Sequence, residues 1–136
     1  MAKESTPISN LSPQQPNGDI VVLSEAGGNS QLDYTQFALT RYTSTGALDP
    51  IFGTNGTFLT AFSTFTFGPF GLALEPNGEL LVAGGVENSS GVNEFGLAQV
   101  PPNCQLDTTF GTDGVATAEV IRMADTPNVL LLQPNG

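Results

Sequence analysis

Across 136 residues, 13 acidic side chains face 3 basic ones (Lys3, Arg41 and Arg122), and with no histidine the formal charge at neutral pH is −10. Such a surface repels phosphate, which argues against nucleic acid and anionic membranes as partners. The length suits one ordinary domain, the 39% hydrophobic content can fill its core, and no apolar run approaches the ~20 residues of a spanning helix.

The opening "MAKESTPISN" has no apolar core, so neither a signal peptide nor an anchor is expected there. Residues 1–18 read as an arm ending in a degenerate first strand. In "LSPQQ" (Leu11–Gln15), Pro13 removes a ladder donor, and Ser12 and Gln14 stand where leucines would serve. The turn "PNG" (Pro16–Gly18) leads into "DIVVL" (Asp19–Leu23), whose continuous apolar run predicts burial on both faces. After the loop "AGGNSQLDYT", the segment "QFALTRY" (Gln36–Tyr42) alternates. Phe37, Leu39 and Arg41 point one way, and Ala38, Thr40 and Tyr42 the other. The phrase "LDPIFGTNG" (Leu48–Gly56) then delivers the chain to the Thr-rich edge strand "TFLTAF" (Thr57–Phe62).

The same order returns. "GLALE" (Gly71–Glu75), a second "PNG" (Pro76–Gly78), "ELLVA" (Glu79–Ala83), "EFGLAQV" (Glu94–Val100), "LDTTFGTDG" (Leu106–Gly114) and "VATAEV" (Val115–Val120) follow in turn. The two phrases lie 58 positions apart, and a third copy of the first strand, "VLLLQ" (Val129–Gln133), ends in a third "PNG". Asn77-Gly78 between two apolar strands predicts a type I′ hairpin turn, with positive φ at both residues. No stretch carries a capped 3.6-residue period, so little or no helix is expected. Four short strands per repeat predict an all-β chain of β-propeller-type blades, two four-stranded antiparallel sheets in all. The first blade is set at 19–67, the second at 68–125, and 126–136 as the first strand of a third repeat, closing or donated.

The repeated phrase reads as a structural connector. Leu48 and Leu106 anchor the exit from the third strand. Asp49 and Asp107 can each accept the backbone N–H two residues on, fixing a turn. Phe52 and Phe110 plug inward, and Gly53 and Gly111 permit backbone angles closed to other residues. Asn55-Gly56 and Asp113-Gly114 make the final reversal.

The pattern LDxxFGxxG, with an apolar strand ending in "PNG" and then "ELLVAGG", resembles the delta-sixty repeat, a bacterial family associated with β-propellers in large secreted or surface proteins. The resemblance covers two repeats plus the start of a third. It implies a propeller scaffold and brings no catalytic residues. Cys104 departs from the pattern, standing where the first copy has Gly46.

Enzyme chemistry is poorly supplied. Without histidine there is no Ser-His-Asp triad and no histidine-held zinc or haem, and no phosphate-binding glycine loop is present. Paired carboxylates can cleave glycosides, but Asp49 and Asp107 repeat at equivalent positions and belong to separate blades. A Ca²⁺ role for "GTNG" and "GTDG" is set against a turn cap, and the cap is preferred because Asp113 is the one charged residue there. No cofactor, metal or catalytic residue is assigned. Cys104, the single cysteine, is read as a turn residue, with an interchain bridge as the alternative. Asn10, Asn55 and Asn88 each open an N-x-Ser/Thr triplet of the kind that arises by chance in such a composition.

The function expected is that of a non-enzymatic structural subunit, self-associating through its sheet edges into a ring or a fibre. The interface is placed on Val129, Leu130, Leu131 and Leu132, which would add to Ile20, Val21 and Val22 of a neighbouring copy. Phe65, Phe67 and Phe70, from a run of five phenylalanines between the blades, are the other interface candidates, against simple inter-blade packing. The alternative is a carbohydrate- or surface-binding propeller module with a glycan partner. The setting expected is extracellular or cell-surface, from the scarcity of lysine and the wealth of Thr, Ser, Asn and Gly; a virion or the cytoplasm is the alternative.

Overall fold

The computed structural model describes residues 13–26, 36–60, 66–119 and 130–134. These hold seven strands: β1 (Ile20–Ala26), β2 (Gln36–Tyr42), β3 (Thr57–Thr60), β4 (Thr66–Leu74), β5 (Leu80–Glu87), β6 (Asn93–Val100) and β7 (Val115–Glu119). They form two antiparallel meanders, β1-β2-β3 and β4-β5-β6-β7. The fold is all-β, as the repeat predicts.

One expected strand is all but missing from the first sheet. Where "LSPQQ" aligns with a full strand, the described residues make a single bridge, Gln14 to Ile20, with the Val21 N–H donating to the Pro13 carbonyl at 3.3 Å. Pro13, without an N–H to donate, holds the edge of β1 without extending it, so among the described residues this sheet has three strands rather than four. In the second repeat the equivalent strand is longer than expected. β4 begins at Thr66, and its register slips twice against β5, between Phe67 and Pro69 and between Pro69 and Gly71. Proline lacks the N–H a regular ladder needs, so the strand passes Pro69 as an irregularity. Phe67 and Phe70 therefore stand within a strand rather than in a connection.

Stacking the two sheets face to face makes the core. From the first come Val21, Leu23, Phe37 and Leu39, with Phe52 from the phrase; from the second come Leu72, Leu80, Val82 and Val100, all buried in one cluster. The registers explain this membership. Leu23 pairs with Leu39 in the first sheet, and Val82 with both Leu72 and Ala98 in the second, so each group lies on one face. Burying those side chains is the main stabilising term, each contributing about 1.5–3 kcal/mol on transfer from water.

The turns divide into two kinds, and one departs from expectation. Asn55-Gly56 and Asp113-Gly114 have φ of 52° and 89°, and 53° and 92°, positive at both residues. They close two-residue hairpins in which Thr54 and Thr57, or Thr112 and Val115, exchange both backbone hydrogen bonds. At "PNG" only the glycine is positive, Gly18 at 88° and Gly78 at 89°. The type I′ turn expected at Asn77-Gly78 is thus a three-residue loop: Gly78 N–H donates to the Glu75 carbonyl at 2.9 Å and Glu75 N–H to that of Glu79 at 2.8 Å. Pro76 is the reason. Its ring fixes a negative φ at the first loop residue, which places the left-handed residue third, at a bulge. A Cβ on Gly78 would meet only Pro102, at 3.7 Å. Gly78→Ala is therefore expected to lower stability by the left-handed penalty alone, about 1–2 kcal/mol, read as a shift in the urea midpoint.

Candidate functional site

The repeated phrase assembles a small polar-aromatic node at the edge of the inter-sheet core. Leu48 bridges to Tyr42 and lies over Gly56, where an added Cβ would sit 2.6 Å from the Leu48 side chain; Leu106 covers Gly114 in the same way. Asp49 Oδ1 accepts the Ile51 N–H at 3.1 Å, and Asp107 Oδ1 accepts that of Thr109 at 2.9 Å. Both carboxylates therefore cap the turn as their position predicts. Phe52 is 1% exposed, the plug expected of it.

The two copies differ in what surrounds the plug. In the first, Arg41 donates from Nε and from its terminal guanidinium nitrogen to Asp49 Oδ2, each at 2.8 Å, while the guanidinium lies 4.7 Å from the Phe52 ring centroid. Pair and ring are mostly shielded from water, so the cation–π contact and the ion pair reinforce each other. In the second copy Gln99 replaces Arg41 and donates instead to Glu75 and Glu79, each at 2.5 Å. Asp107 turns to Thr109, whose hydroxyl donates to Oδ1 at 2.6 Å. That hydroxyl and the Thr109 N–H hold the Asp107 carboxyl below its ordinary range. Phe110 is only half-buried. Arg41→Gln, which installs the second copy's residue in the first, strands the buried Asp49 carboxylate; about 1–3 kcal/mol of stability is expected to go, measured by urea unfolding.

Beside the first phrase, a cavity of about 530 Å³ is lined by Gly53, Thr57, Phe58, Asn103, Cys104 and Gln105, among others. Cys104 sits at φ 58° and packs against the core. Burial raises its thiol above the usual value, outweighing the lowering by the Gly53 backbone N–H and the Arg41 charge. It is a poor nucleophile at neutral pH. Among the described residues no three His, Cys, Asp or Glu side chains gather as a metal site.

The interface candidates fare unevenly. Val21 is 0% exposed, committed to the core, so its side chain is not offered to a neighbour. Ile20 is 37% exposed and Val22 half-buried on the opposite face. Leu131 is 77% exposed, and Leu132 half-buried. Leu130 rests on the second sheet, its Cβ 2.7 Å from where a Cβ on Gly71 would stand; only glycine admits that approach. Val129 and Phe65 lie outside the described residues, as do the side chains of Phe67 and Phe70.

Sequence reasoning missed a groove of about 320 Å³ on the far face of the second sheet, walled by Ala83, Phe95, Leu97, Ala116 and Leu130. The repeat shows that this face is made to be covered, but not by what. Phe95 and Leu97 align with Phe37 and Leu39, which are fully buried, whereas they themselves are half-buried beside the groove.

Residues 75–110 match the family model described as a domain of unknown function (DUF5122) beta-propeller. No curated protein and no solved structure matches the chain. The matched segment runs from the "PNG" turn of the second sheet through β5 and β6 to Phe110 of the phrase, and with the stacked antiparallel meanders it supports a β-propeller repeat family for this chain.

Proposed function

We propose that this protein is a non-enzymatic structural subunit built from delta-sixty-type propeller repeats, which self-associates through its sheet edges into a ring or a fibre. One observation carries the reading: among the described residues, each sheet buries the large apolar side chains of one face and leaves those of the other partly open. In the first sheet Val21 and Leu23 are buried while Ile20 and Val22 remain partly open; in the second, Leu80 and Val82 are buried while Leu81 and Ala83 remain partly open. Repetition of a head-to-tail contact closes a ring or continues as a fibre.

Strand addition by Val129–Gln133 to β1 of a neighbour is the form proposed for the edge contact. Among the described residues the edge it would join holds the Gln14 bridge and the bond to Pro13, so a regular apolar strand has little of that to displace. Deleting residues 129–136 is expected to reduce the assembly to single chains of about the 14.1 kDa chain mass, followed by size-exclusion chromatography with light scattering. An assembly of undiminished mass would rule out the donated strand.

A further inference from the structure

The geometry points to a second copy of this chain as the occupant of the groove on β5-β6-β7, seated by the face of its first sheet that carries Ile20, Val22, Thr40 and Tyr42. This rests on the self-association proposed above and adds to it which two faces meet, and in which direction. The template lies within the chain. The first sheet's face of Val21, Leu23, Phe37 and Leu39 is closed by the second sheet's Leu72, Leu80, Val82 and Val100. The repeat alignment carries the covered set onto Leu81, Ala83, Phe95 and Leu97, which are half-buried beside the groove. Leu80, Val82 and Val100 of the covering set map onto Ile20, Val22 and Tyr42, with Thr40 at the position of Ala98; Ile20 and Tyr42 are each 37% exposed, large apolar side chains on one face.

Cover has already begun in the expected place. Leu130 occupies the repeat position of Leu72, and as Leu72 closes the first sheet, Leu130 lies against Gly71 at the groove of the second. The groove therefore continues an interface the chain itself makes once. In the seated pair Phe110 of one copy takes the position of Phe52. Gly46 of the other stands where Cys104 stands inside the chain, and nothing lies within 4 Å of a Cβ placed there, so that turn is free to approach. Both faces are used once per copy and differ from each other, so the contact is head-to-tail.

Two single substitutions test this. Leu97→Glu puts a carboxylate in the groove, and Tyr42→Glu puts one on the face that would fill it; both sites are partly open in the single chain. Wild type is expected to be larger than one chain by light scattering at tens of micromolar, and each variant to be monomeric with a wild-type circular dichroism spectrum. An equimolar mixture of the two retains one intact pair of faces, and is expected to give a dimer of twice the 14.1 kDa chain mass. Should Leu97→Glu fail to fold, Ala116→Glu at the groove's outer wall replaces it. If both variants assemble like wild type, the faces are wrong while self-association stands. Monomeric variants that do not pair on mixing overturn the head-to-tail direction. A monomeric wild type overturns the inference together with the reading beneath it.

Discussion

Phe52→Ala is expected to cost about 3–5 kcal/mol, the range for emptying a buried aromatic site, and Phe110→Ala far less in the isolated chain. Sequence gives the two phenylalanines one role, since they hold the same place in the same phrase. The structure separates them by what lies above. Phe52 is 1% exposed, closed by the second sheet and by the Arg41 guanidinium at 4.7 Å. Phe110 is half-buried, with Gln99 in place of the arginine. Removing Phe52 opens a void between two sheets, and the Arg41–Asp49 pair loses its apolar floor with it. Urea unfolding of the two variants checks this; equal losses for both would mean that inter-sheet packing is not what holds the plug.

Gly53→Ala and Gly111→Ala are expected to cost alike, about 2–5 kcal/mol each, from the left-handed penalty together with a clash against backbone. An added Cβ would stand 2.3 Å from the Thr57 carbonyl oxygen in the first copy and 2.3 Å from that of Val115 in the second. Those carbonyls accept the N–H bonds of Thr54 and Thr112 that close the hairpins, each at 2.8 Å, so relief by movement breaks the turn. The strain is local to each phrase and does not depend on covering. Thermal melts of the pair check this, and a clear inequality would show that stacking, rather than turn geometry, sets the glycine. The phrase thus has a local part, the same in both copies, and a long-range part that differs.

That division also marks what was legible in the sequence. The strand positions after the first of each sheet, the Asx caps at Asp49 and Asp107 and the reversals at Asn55-Gly56 and Asp113-Gly114 depend on neighbours a few residues away, and the repeat marks them. The turn at Asn77-Gly78 departs from type I′ because Pro76 fixes the preceding φ, a constraint that the Asn-Gly dipeptide alone does not carry. The extent of β4 was hidden by Pro69, which breaks the pattern without ending the strand. Which face of each sheet is buried was not legible at all. Val21 and Leu81 occupy one repeat position, and Val21 is fully buried while Leu81 is half-buried. The difference comes from having one neighbouring sheet rather than two. A repeat states that both faces are made to be covered; it does not state by what.

The claim that other copies supply that cover is tested most directly by sedimentation equilibrium of the whole chain from about one to several hundred micromolar. Our account predicts a mass that rises with concentration above the 14.1 kDa of a single chain, through whole-number multiples of it. A mass that stays at one chain across that range would contradict it.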